Sequence, residues 1–151
     1  MPLLKLSLKL KDQLEDLKKL NKALDFLRSL VGMSKKCSCE FSLVLEELFT
    51  NIVRHGCCDG KRHTINVTMS LEKELLTVRI EDDCIPFNPI KVNKPDRTSP
   101  SDDRKIGGLG IFLAKHYTED IQYKRRGKKN TLILKKKIIP MPNEERVNGN
   151  H

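Results

Sequence analysis

The stretch Leu45-Glu46-Glu47-Leu48-Phe49-Thr50-Asn51-Ile52-Val53-Arg54-His55-Gly56 decides the fold. Phe41, Leu45, Leu48 and Ile52 recur at steps of three and four residues, which predicts the last turns of an amphipathic helix with an apolar stripe. A second face carries Glu47 and Asn51, which stand one above the other at this spacing, with Arg54 and His55 continuing toward the helix end. A carboxylate and a carboxamide stacked in this way can act together, one accepting a hydroxyl proton and the other giving an oxygen ligand to a hard cation such as Mg²⁺. A solvated helix face has the same pattern, so the segment alone leaves both readings open.

The chain has 151 residues and a mass of 17.4 kDa, room for one domain with a single buried core. Its 38% hydrophobic and 32% charged residues suit a soluble globular protein. The opening Met1-Pro2-Leu3-Leu4-Lys5-Leu6-Ser7-Leu8-Lys9-Leu10 alternates Leu with polar residues and predicts a strand, not a signal peptide. No apolar run is long enough for a bilayer, so the expected location is the cytoplasm, without membrane attachment. Five cysteines, an odd number with no framework spacing, are then expected as reduced thiols. Cys57-Cys58 beside His55 and His63 has the residue types of a metal site but lacks paired Cys-x-x-Cys elements. The net charge of +9 admits anionic partners, nucleic acid included. With 5% aromatic residues and no Trp, stacking platforms are scarce, and direct nucleic-acid binding is not expected.

After the first strand, Leu14, Leu17, Leu20, Leu24, Leu27 and Leu30 form a helical Leu stripe that Val31-Gly32 stops. Ser38 is placed to cap the following helix. Thr64 to Leu71 and Leu75 to Ile80 predict two strands joined by a hairpin loop at Glu72-Lys73-Glu74. From Pro86 to Lys105 the chain is polar and aperiodic, the pattern of a functional or disordered loop. Ile106 to Ile111 opens a short helix ending near Tyr117, and Glu119 to Tyr123 with Asn130 to Leu134 predicts a last hairpin around Gly127. Residues 1–138 thus form one domain and 139–151 a polar tail. Antiparallel hairpins with segregated helices give an α+β two-layer sandwich, its sheet mixed but mainly antiparallel and covered on one face.

Gly107, Gly108 and Gly110 let backbone N–H groups approach an anion at a helix start, although neither a Walker A loop nor a dinucleotide fingerprint is present. A plain helix-start turn would need the same residues. Asp82 ends an apolar strand, where a carboxylate can accept from an exocyclic amine or simply form a turn.

Taken together, these segments resemble the GHKL or Bergerat ATP-binding fold of histidine kinases, GyrB-type topoisomerases, Hsp90 and MutL. The likeness is strongest to RsbW/SpoIIAB-type anti-sigma factors, which are serine-protein kinases. Glu47-Leu48-Phe49-Thr50-Asn51 with Arg54-His55-Gly56 resembles their N-box, and Asp82-Asp83-Cys84-Ile85-Pro86-Phe87-Asn88-Pro89 their Asp-x-Gly-x-Pro-Phe segment. Gly108-Leu109-Gly110-Ile111 resembles the second glycine box, and Gly127-Lys128-Lys129-Asn130-Thr131-Leu132 the closing hairpin. The likeness runs in order from about Leu3 to Lys137.

This resemblance implies ATP and Mg²⁺ as cofactors. Asn51 would ligate Mg²⁺, Asp82 would read the adenine amine with Thr131 in support, and Glu47 would accept the proton of a Ser or Thr hydroxyl. Cys84, Ile85, Pro86 and Phe87 would line the nucleotide, Gly107 to Ile111 through Leu109 would form the phosphate loop, and Asn88 to Lys105 the lid. Arg104 and Lys105 stand at the lid's end, in reach of phosphates. The implied partners are a sigma factor and a STAS-type anti-anti-sigma protein, with homodimerisation as a family expectation. One departure is Cys84, where the family has Gly, and it motivates the alternative of a partner-binding switch that holds ATP weakly or not at all.

Overall fold

The computed structural model describes residues 4–88 and 109–138. In chain order these form β1 (Leu4–Lys11), a 3-10 turn (Leu14–Asp16), α1 (Leu17–Val31), α2 (Lys35–Asn51) and a π-helical turn (Ile52–Gly56). Then follow β2 (Thr64–Glu72), β3 (Leu75–Asp82), α3 (Leu109–Tyr117), β4 (Asp120–Arg126) and β5 (Lys129–Lys137). The strands build one sheet in the order β1-β2-β3-β5-β4. Every described pairing is antiparallel, so the expected mixed sheet is antiparallel throughout these residues.

Period-two alternation turns one face of the sheet toward the helices. Two inward rows are largely apolar: Leu8, Val67, Ile80, Leu132 and Tyr123 form one, and Leu6, Met69, Val78, Leu134 and Ile121 the next. The third row, at the sheet end, reads Leu10, Ile65, Asp82, Asn130 and Arg125. Its two centre positions are buried and polar, and they lie where the strands leave the core.

The α2 stripe behaves as its spacing requires: Phe41, Leu45, Leu48 and Ile52 are all buried, joined by Val44 and Phe49. Side chains of this size contribute about 1.5–3 kcal/mol each on burial. In α1, Leu20, Leu24 and Leu27 face the core, whereas Leu14 in the preceding 3-10 turn and Leu30 near the helix end are 40% and 49% exposed. Gly32 closes α1 in the left-handed conformation at φ 68°. The cap of α2 is Ser34, not Ser38: Ser34 is extended and its Oγ accepts from the Cys37 N–H at 3.1 Å, while Ser38 is buried within the helix. Asp16 ties β1 to α1, its carboxylate accepting from the Lys11 N–H and from Gln13 Nε2, each at 2.7 Å. Those bonds, led by the backbone one, hold the Asp16 carboxyl below its usual range.

Among the described residues, no helix is long and apolar enough to cross a membrane.

Candidate functional site

Asn51 is the last residue of α2, and the chain then widens into the π-helical turn. Such turns carry one extra residue per helical repeat and often stand at functional sites. Asn51 is 2% exposed, and its Nδ2 has no hydrogen-bond partner among the described residues. An unpaired buried amide costs about 1–3 kcal/mol, so the side chain suits a position that a bound group completes. Glu47, one turn earlier, is half-buried; burial raises its pKa first, the neighbouring Glu46 adds to the rise, and Arg54 opposes it.

The π turn delivers Gly56 to the segment after β3. The Gly56 carbonyl accepts from the Ile85 N–H at 3.3 Å. A Cβ built on Gly56 would lie 3.7 Å from the Cβ atoms of both Cys84 and Phe87, and the His55 and Phe87 rings are 5.8 Å apart. The N-box and Asp-x-Gly-like segments, separate in sequence, are therefore in contact.

Asp82 stands in the polar row, 7% exposed. Its Oδ1 accepts from Asn130 Nδ2 at 2.8 Å and from the Cys84 N–H at 3.0 Å. No described residue donates to Oδ2. Burial pushes its pKa up, against the lowering effects of the Asn130 and Cys84 bonds.

Asn130 is the residue that the sequence reading missed. Its Nδ2 also donates to the Ile85 carbonyl at 2.9 Å, and its Oδ1 accepts from the Tyr123 hydroxyl and from Arg125 at 2.9 Å. Arg125 in turn donates to the Cys84 carbonyl at 3.1 Å. Strand parity puts Thr131, the expected support of Asp82, on the other face of the sheet from that carboxylate. Thr131 pairs with Glu81 on the outer face, whereas Asn130 pairs with Asp82 on the inner one. Since Leu132 and Leu134 must face the core, counting back by two from them finds Asn130.

Cys84 has two surprises. Lys73 is the one described non-Gly residue with positive φ, so Cys84 adopts an ordinary backbone where the family has Gly. It is also bonded to Cys57, with Cα atoms 5.1 Å apart, which corrects the expectation that all five thiols are reduced; Cys37, Cys39 and Cys58 are free. The bond joins the end of the π turn to the segment after Asp82. Beside it, His63 is buried with Nδ1 2.9 Å from Asp83 Oδ1 and Nε2 2.7 Å from Asp59 Oδ1. The Asp59 bond leads in raising the His63 pKa, and Asp83 reinforces it against desolvation.

Ile85 and Pro86 are exposed, and Phe87 is half-buried. The backbone of Leu109, Gly110 and Ile111 begins α3, which packs on α2. Arg104, Lys105, Gly107 and Gly108, with the expected lid after Asn88, lie outside the described residues.

The family model described as the histidine kinase-like ATPase domain matches residues 11–136. Serine/threonine-protein kinase BtrW of Bordetella bronchiseptica is 27% identical over 99 residues, which are 66% of this chain and 70% of that protein. A solved structure of the RsbU and RsbW domains of Rv1364c from Mycobacterium tuberculosis superposes with a TM-score of 0.63 at 14% identity. It covers 91% of this chain and 33% of that one. The histidine kinase domain of the Erythrobacter litoralis EL346 blue-light activated kinase gives 0.51 at 16% identity, covering 83% of this chain and 60% of that one. The likenesses to solved structures show the fold. The family match spans most of the sequence, including Asn51, Asp82 and Asn130, and by it the chain belongs to the histidine kinase-like ATPase domain family.

Proposed function

We propose that the chain is an ATP- and Mg²⁺-dependent protein serine/threonine kinase that phosphorylates a STAS-type antagonist and sequesters a sigma factor. The observation that carries the reading is the buried side chain of Asn51, whose Nδ2 has no partner among the described residues, one helical turn before a backbone that contacts the segment following Asp82. Asn51 would hold Mg²⁺ through its side-chain oxygen. Asp82, one oxygen fixed by Asn130 and Cys84 and the other without a donor among the described residues, would accept the adenine amine. ATP supplies a transferable phosphoryl group; the chain's own work is orientation and proton acceptance. Glu47 is suited to take a hydroxyl proton, because its raised pKa makes it a stronger base than an ordinary carboxylate. The relationship to a protein whose name is serine/threonine-protein kinase supports this assignment.

The test is transfer of labelled γ-phosphate to a cognate STAS-type protein. Glu47→Gln should slow it about 10²-fold or more, with Mg-ATP affinity kept. Transfer at the wild-type rate would remove Glu47 as the base.

A second reading is favoured by the Cys57–Cys84 bond: a partner-binding switch of the same fold that holds ATP weakly or not at all. Calorimetry with Mg-ATP separates the two. Absent binding in the wild type, restored by Cys84→Gly, would favour the switch.

A further inference from the structure

The groups around the Cys57–Cys84 bond have the composition of a metal centre. We propose that Cys57, His63, Asp83 and Cys84 form a zinc site that assembles once a dithiol reductant opens the disulfide. The proposal does not depend on the kinase reading.

The ligand atoms of His63, Asp83 and Cys84 all lie within 4.8 Å of one another. Cys57 Sγ adjoins this group through its bond to Cys84 Sγ and is free to turn toward it once that bond opens. Ligand distances of roughly 2.0–2.3 Å in tetrahedral zinc separate neighbouring donors by about 3.3–3.8 Å. The cluster is thus a small side-chain adjustment from a coordination shell. Two thiolates, an imidazole and a carboxylate are donors that zinc accepts, whereas magnesium and calcium favour oxygen alone.

The surroundings match the donors. Asp59 Oδ1 lies 2.7 Å from His63 Nε2, so this carboxylate can hold the Nε2 proton and turn Nδ1 toward the metal. This is the usual outer partner of a zinc-bound histidine, fixing tautomer and ring orientation. The His63 side chain is 6% exposed and that of Asp83 58%, which gives the site a dry wall and an open entry side. Cys58 stands apart: it is exposed, and its Sγ donates to the His55 carbonyl at 3.4 Å.

The steps balance. Opening the disulfide takes two electrons and two protons from the dithiol, which leaves as its own disulfide. Metal binding then releases both thiol protons, and any proton on His63 Nδ1, to solvent. The disulfide and the zinc-bound form exclude each other, since both use the same two sulfurs. Each would join the end of the π turn to the residues just after Asp82, the disulfide without the loop that holds His63 and the metal with it.

The experiment titrates the full chain with Co²⁺ after anaerobic reduction by a phosphine, and again after oxidation. The reduced chain should bind one Co²⁺ with thiolate charge-transfer and intense tetrahedral d–d absorption, and Zn²⁺ should displace it. The oxidised chain should show neither band. With Zn²⁺ measured against a chromophoric chelator, His63→Gln, Asp83→Asn and Asp59→Asn should each lower affinity at least about tenfold. Cys58→Ser should leave it unchanged. A reduced chain that binds no metal, equal binding before and after oxidation, or loss of binding in Cys58→Ser would overturn the proposal. The oxidised and reduced wild type are the same polypeptide, so this comparison stands even where a variant folds poorly.

Discussion

Asn130→Ala tests whether the polar row is a structural unit. The substitution removes a side chain 4% exposed that bonds Asp82, Ile85, Tyr123 and Arg125. The partners do not suffer equally. Ile85 is 39% exposed, and Tyr123 and Arg125 are half-buried, so water can replace the lost bonds there. Asp82, at 7% exposure, keeps only the Cys84 N–H among its described donors. A hydrogen bond to a charged group contributes about 1.5–3 kcal/mol, and the cavity adds to the loss, so about 2–4 kcal/mol is expected. For a domain of this size that corresponds to a fall in Tm of about 4–16 °C. Urea unfolding followed by far-UV circular dichroism should show a lower midpoint at unchanged slope. In a double-mutant cycle with Asp82→Ala, the two losses should fall short of additivity by at least about 1 kcal/mol. A single-variant loss under about 0.5 kcal/mol, or an additive cycle, would refute the reasoning.

Thr131→Val should change stability by no more than about 0.5 kcal/mol and leave nucleotide affinity as it is, because Thr131 lies on the outer face; calorimetry and urea midpoints check both. Asn51→Ala should lower Mg-ATP affinity at least about tenfold, an effect of about 1.4 kcal/mol. It should not lower the urea midpoint appreciably, since Asn51 Nδ2 has no partner to lose among the described residues. Asp16 gives the pH dependence: its folded pKa lies below the unfolded value of 3.8, so its contribution is complete above that value and is lost as pH falls through the folded one. Asp16→Asn should therefore have a lower urea midpoint at neutral pH, and the gap from wild type should narrow in acid.

The helices and hairpins were legible because their signals are local. The three- and four-residue steps of Phe41, Leu45, Leu48 and Ile52 needed no tertiary information, nor did Gly32 as the stop of α1. The ends of the Leu stripe were overread: Leu14 lies in the 3-10 turn before α1, and at about 3.6 residues per turn Leu30 stands off the line of Leu20, Leu24 and Leu27, so both are exposed. Ser34 and Ser38 are both plausible caps by residue type, and only the backbone turn at Ser34 distinguishes them. Asn51, Glu47 and Asp82 could be singled out as polar exceptions to apolar patterns. Asn130 could have been found by strand parity, but a Thr with a family counterpart beside it drew the assignment away. Arg125 looked like one charge in a basic run, and its contact with Cys84 is made across 41 positions of sequence. The disulfide was hidden for the same reason, as Cys57 and Cys84 are 27 residues apart and meet only through the contact of the π turn with the end of β3.

The polar row also governs how this sequence tolerates insertions and deletions. Asn130 faces Asp82 because it sits an even number of residues before Leu132 and Leu134. One residue inserted between Asn130 and Leu132 would send the amide to the outer face while the core pair stayed in place. Two would return it inward, but a full rung beyond its carboxylate. Length changes are better absorbed at Gly127 and Lys128, which join β4 to β5 outside the ladder. Relatives should accordingly differ in length at that turn and keep their frame through residues 130–134. An alignment that places a gap within those five positions will match the wrong polar residue to Asp82.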